Sequence, residues 1–124
     1  MSGGMRPGSV RLAAACSVVV LLGPSAAPAL TGVEWRRLAP AARAAYVTGV
    51  VDAWQGLVAV QESVGSKDAG ITVFAELVSC LRDRLVSEAQ IGAVVAKYVA
   101  DNPGQSGKDM TDLVFAALTQ DCAR

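Results

Sequence analysis

The sequence contains no histidine. That absence removes the commonest general base, the commonest metal ligand and the only side chain whose ordinary pKa lies near neutrality. Carboxylate pairs can still do acid and base work, so catalysis is disfavoured and not forbidden. Aromatic residues are scarce, at 5%, and alanine and valine dominate instead. Side chains this small suit closely packed helices around a thin core. A basic stripe is missing too. Arg6 and Arg11 lie near the N-terminus, and beyond them nine Lys and Arg face eleven Asp and Glu. Such a chain offers a phosphate backbone no anchor, so no nucleic-acid partner is expected. Glycine, proline and serine form no internal linker, which leaves one domain. No C-x-x-C, no G-x-S-x-G and no cluster of metal ligands occurs, so no catalytic residue, cofactor site or metal site is nominated, and the chain is not expected to be an enzyme.

What is present begins with an export signal. Arg6 and Arg11 precede an apolar run from Leu12 to Leu22, Gly23-Pro24 breaks it, and small residues follow as far as Ala29. These are the three parts of a secretory signal peptide. A run of 11 residues falls well short of the roughly 20 needed to span a bilayer, so no stable membrane insertion is expected after cleavage. Ala27-Pro28-Ala29 fits the small-x-small pattern, which puts the cut between Ala29 and Leu30. Residues 1–29 are then the signal and 30–124 the mature domain, with a periplasmic destination. Cys16 follows Leu12-Ala13-Ala14-Ala15 and could be read as a lipid-modified cysteine. The best apolar residues, Val18 to Leu22, come after it, which favours a passenger in the signal.

The mature chain reads as all-α, a small bundle of about four helices. Trp35 and Leu38 lead into Pro40, favoured at a first helical position because its missing N–H has no intrahelical partner there. A helix from about Pro40 to Gln61 follows. Its apolar residues, among them Tyr46, Val50, Trp54, Leu57 and Val60, fill about half the circumference, wider than the roughly 100° stripe of a one-sided surface helix. Either neighbours touch it on two sides, or part of that face is a homodimer or partner interface. Gly49 and Gly56 either permit close helix approach or are tolerated defects. Ser63 to Gly70 reads as a loop, and Ile71, Phe74, Leu77 and Val78 predict a short helix ending near Cys80. Leu81 to Val86, with Arg82, Asp83 and Arg84, reads as a solvated connection. Ser87 and Gln90 form a capping box for a helix from Glu88 to Asp101, whose core set is Ile91, Val94, Val95, Tyr98 and Val99. Asn102-Pro103-Gly104 stops it. Asp109 is the expected N-cap of a last helix with Met110, Leu113, Val114, Ala117 and Leu118 inward, and Cys122 just past its end.

Removing the signal leaves two cysteines, Cys80 and Cys122, in an oxidising compartment. A small Ala- and Val-rich domain has limited apolar area to bury, and the hairpin between the cysteines returns the chain. A zinc site lacks its other ligands, and a thiolate at Cys80 lacks an imidazole partner. A structural disulfide worth about 4 kcal/mol in the chain-entropy model is therefore expected.

Trp35 with Leu38, Arg43, Tyr46-Val47, Gly49-Val50 and Asp52-Ala53, then Cys80, Gln90, Val94-Val95, Lys97-Tyr98, Pro103, Leu113-Val114, Ala117-Leu118 and Cys122 resemble the Rap/Tai-type immunity proteins, small exported helical proteins associated with type VI secretion. The resemblance covers nearly all of the mature chain. It implies a periplasmic, disulfide-bonded and often dimeric domain that binds a peptidoglycan-cleaving amidase and occludes its cleft. Two places depart from the family pattern: Arg82-Asp83-Arg84 fills a stretch that usually holds proline and glycine, and Asp121 stands where a proline commonly precedes the last cysteine. The inserting element is expected in Ser63 to Gly70 or Leu81 to Val86, with Lys67, Asp68, Arg82, Asp83 and Arg84 as candidate partner contacts. The alternative is a small periplasmic acid-stress holdase, which also carries one disulfide over a similar span and whose acidic charge would let carboxylate protonation expose apolar surface.

Overall fold

A computed structural model describes residues 29–84 and 86–124. Residues 1–28, with Arg6, Arg11 and Cys16 of the expected export signal, and Leu85 after the charged Arg82-Asp83-Arg84, lie outside the described residues. Those described form five α-helices and no strand: α1 Gly32–Arg37, α2 Pro40–Val64, α3 Ala69–Asp83, α4 Glu88–Asp101 and α5 Met110–Cys122, with one 3-10 turn at Pro103–Gln105. The bundle is all-α and stapled by one disulfide, Cys80 to Cys122, as the sequence predicts.

The helix beyond the expected four is α1. Thr31 and Glu34 make a capping box: Thr31 Oγ1 accepts from the Glu34 N–H at 3.3 Å, and Glu34 Oε2 accepts from the Thr31 N–H at 2.8 Å. Six residues are too few to show a helical period, which hides this element from pattern reading. Docking holds it in place. The Gly32 and Val33 N–H groups donate to the carbonyls of Lys108 and Ser106, and the Met110 N–H donates to the Leu30 carbonyl. Trp35, on the inward side of α1, is buried.

Helix α4 begins with the expected capping box, Ser87 Oγ accepting from the Gln90 N–H and Gln90 Oε1 from the Ser87 N–H. Ile91, Val95 and Val99 are buried, while Val94 and Tyr98 pack against the core from its edge. All five predicted inward residues of α5 are buried. Asp109 stands at the N-cap of α5, but its side chain makes no capping hydrogen bond.

Four boundaries differ from expectation. Helix α2 continues to Val64, and α3 starts at Ala69, so the connecting turn shrinks to residues 65–68. The charged segment after Cys80 is no free connection, because Leu81 is buried and Arg82 and Asp83 form the last turn of α3. Cys122 is the last residue of α5 and does not lie beyond it.

Helix α2 packs against α3 and α4, and more briefly against α5. Val47, Val51, Trp54 and Val58 face inward. On its outward side Leu57, Val60 and Val64 remain exposed. The helix is therefore central and still apolar toward solvent.

Candidate functional site

The two candidate segments lie at opposite ends of α3. Its 15 residues span about 22 Å at 1.5 Å per residue, so Lys67 and Asp68 do not share a surface with Arg82, Asp83 and Arg84. The structure divides the five residues into two groups and gives them different work.

At the first end, α2 and α3 form an antiparallel pair whose tip is exposed without interruption from Glu62 to Gly70. Both sides of the tip are capped. Gly65 adopts φ 65°, the left-handed conformation that closes a helix C-terminus, and its N–H donates to the carbonyls of Gln61 and Glu62. The Ser66 N–H also reaches the Gln61 carbonyl, at 3.2 Å. Asp68 caps α3, with Oδ1 accepting from the N–H groups of Gly70 at 2.8 Å and Ile71 at 3.2 Å. The Asp68 side chain is thus engaged within its own turn. Lys67, between the caps, is exposed and has no ion-pair partner among the described residues. The result is a short preformed projection with one unengaged cation near its summit.

At the other end, Arg84 is drawn onto α5. Nη1 donates to the Asp121 carbonyl at 2.9 Å and Nη2 to the Cys122 carbonyl at 3.1 Å, with the Asp121 carboxylate 3.6 Å away. A cation at a helix C-terminus meets unsatisfied carbonyls and the negative end of the dipole. Arg84 therefore ties α3 to α5 beside the disulfide, while Arg82 and Asp83 stay exposed with no ion-pair partner among the described residues.

Other surfaces offer shape without reactive groups. A groove of about 480 Å3 runs between α2 and α4, floored by Ala44, Thr48, Gly92 and Ala93, with Arg43 and Glu88 along it. Arg43 lies 5.6 Å from the Trp35 ring centroid, and the Trp35 indole N–H donates to the Arg43 carbonyl at 3.3 Å. Trp54, Phe74 and Phe115 meet with ring centroids 5.4 to 6.0 Å apart. Ser106 is the buried polar residue among those described, and its hydroxyl donates to the Pro103 carbonyl. Among the described residues, Glu34 and Tyr46 titrate away from their ordinary values. Hydrogen bonds from the Thr31 backbone and hydroxyl hold the Glu34 carboxyl below its usual 4.5, and burial, with the charge of Asp109, pushes the Tyr46 phenol up.

Among the described residues no three of Cys, Asp and Glu lie close enough to hold a metal ion, and no helix is long and apolar enough to cross a membrane. The two caps of the tip leave a sequence signal: Gly65 comes shortly after the apolar run Leu57-Val58-Ala59-Val60, and Asp68 shortly before Ile71. No protein-family model, no curated protein and no solved structure matches this chain.

Proposed function

We propose that this chain is an exported binding protein that acts without chemistry of its own, a periplasmic immunity protein that occludes a peptidoglycan amidase delivered by type VI secretion. The observation that carries the reading is the tip from Glu62 to Gly70. It projects, it is exposed throughout, and it is held at both sides by caps. An element already fixed in shape loses little conformational entropy on entering a cleft, which is what an occluding inhibitor needs. Lys67 at the tip would meet a carboxylate at the cleft mouth. The residues from Trp35 to Cys122 that resemble the Rap/Tai-type proteins supply the partner class, and a disulfide-stapled helical scaffold suits a periplasmic inhibitor. Arg82 and Asp83 are assigned a lesser role at the far end of α3.

The experiment is competition between sibling cells. A strain lacking this chain should be lysed by the parent's secreted amidases, and the wild-type chain exported to the periplasm should restore survival. Unchanged survival of the deletion strain would overturn the reading.

A further inference from the structure

We propose that the aromatic corner where α2, α3 and α5 meet is a binding site for a trimethylammonium group. Both phenylalanines of the chain and one of its two tryptophans come together here, each from a different helix: Trp54 from α2, Phe74 from α3 and Phe115 from α5. The Phe115 ring stands across the other two, at 87° to Trp54 and 69° to Phe74, while Trp54 and Phe74 lie within 32° of one another. The three rings thus form a corner of steeply crossing walls and not a closed stack. A cavity of about 320 Å3 opens beside it, lined by the three rings together with Thr111 and Asp112. That volume lies within the roughly 300 to 1,000 Å3 of small-ligand sites. Phe74 and Phe115 are only partly buried, so the rings keep surface for a ligand.

The chemistry of the walls selects the occupant. Aromatic faces carry the negative part of the ring quadrupole and attract a cation placed over them. Asp112 is the charged residue of the lining, and it forms no ion pair among the described residues. Its carboxylate and the ring faces therefore favour the same sign of charge. A primary ammonium brings three N–H donors, which would have to give up water against the rings. A trimethylammonium group brings none and sets its methyl groups on the aromatic walls. No residue of the tip from Glu62 to Gly70 lines this cavity, so the inference goes beyond the occlusion reading and does not depend on it.

The test is an NMR titration of the full chain, expressed with its own N-terminal segment and purified oxidised, with choline as the probe and the two tryptophan indole N–H signals as the readout. At up to about 50 mM choline, well above a millimolar Kd, the Trp54 signal should shift and saturate. The Trp35 signal, from the groove between α2 and α4, should stay in place. The neutral carbon isostere of choline, in which a tert-butyl group replaces trimethylammonium, should bind about tenfold more weakly. Asp112→Asn should weaken choline binding several-fold and leave the isostere unchanged. Phe115→Leu should weaken choline binding with unchanged helical circular dichroism, and Phe74→Leu serves if that variant does not fold. Co-sedimentation with phosphatidylcholine vesicles assigns the group to a lipid headgroup, and choline binding without it assigns the group to a free solute. A Trp54 signal unmoved by choline, an isostere bound as tightly as choline, or choline binding untouched by both Asp112→Asn and the phenylalanine variant would each overturn the proposal.

Discussion

The Arg84 guanidinium bridges two carbonyls at the end of α5, that of Asp121, 37 positions along the chain, at 2.9 Å and that of Cys122 at 3.1 Å. It does so one turn beyond Cys80, whose disulfide ties the same two helices. The charged stretch after Cys80 and the position before the last cysteine therefore meet in space, the first supplying Arg84 and the second Asp121. Because the Arg84 side chain is 40% exposed, solvent screens the ion pair, and most of its worth lies in satisfying the carbonyls. Arg84→Ala should cost about 1 kcal/mol, read from urea unfolding. Arg84→Lys should recover only part, since a single ammonium cannot reproduce the two-pronged donation.

Reducing the disulfide should cost far more. The bridged residues are 42 apart, and closing a loop of that length stabilises by about 4 kcal/mol in the chain-entropy model. Denaturant midpoints of the oxidised protein and of a C80S/C122S variant give the comparison. Because the inward faces of the helices still pack on one core, the variant should retain helical circular dichroism in the absence of denaturant.

Gly32 is needed for space. A Cβ there would stand 2.6 Å from Leu113 Cδ1 and 3.1 Å from the Ser106 carbonyl oxygen. Leu113 is 1% exposed and has little room to retreat. Gly32→Ala should therefore destabilise by about 1 to 3 kcal/mol, the usual cost of overpacking, despite alanine's better helix propensity. Thermal unfolding measures it, and Gly56→Ala, where the surface is open, is the control.

Glu34 sets a pH dependence of known sign. Its carboxylate accepts from the Thr31 N–H and hydroxyl, and these bonds depress its folded pKa below 4.5. The stabilisation is present above the unfolded pKa and is lost as pH falls through the folded pKa. Glu34→Gln should flatten stability against pH in that acidic window and leave the neutral-pH slope unchanged. Side-chain NMR titration of Glu34 in the wild type should show the depressed value directly.

The legible parts of this fold are those where cap and period agree. Ser87, Gln90 and the run Ile91 to Val99 announced α4, and Met110 to Leu118 announced α5, because each presents one apolar face between clear boundaries. The N-terminus of α3 was hidden, because Asp68 sits in a small polar stretch that resembles a longer loop. Its C-terminus was hidden for a different reason. Arg82 and Asp83 look solvated, and they are, but they ride on the exposed side of a turn whose other side is the buried Leu81. The breadth of α2's apolar surface was visible, while its division into an inward face on Val47, Val51, Trp54 and Val58 and an outward one on Leu57, Val60 and Val64 required the neighbours to be placed. Of the five candidate contacts, Asp68 is engaged by a cap local to its own turn, while the engagement of Arg84 is invisible in sequence because its acceptors lie on another helix.

The claim that the capped tip is the inhibitory element is tested most directly by returning single variants to the deletion strain and counting survivors in competition with the parent. Lys67→Glu reverses the unengaged charge without touching either cap, and Arg82→Glu reverses one at the far end of α3. Survival should fall sharply with Lys67→Glu and stay near wild type with Arg82→Glu, at equal periplasmic levels of both proteins. Full protection by Lys67→Glu together with loss of protection by Arg82→Glu would contradict the assignment.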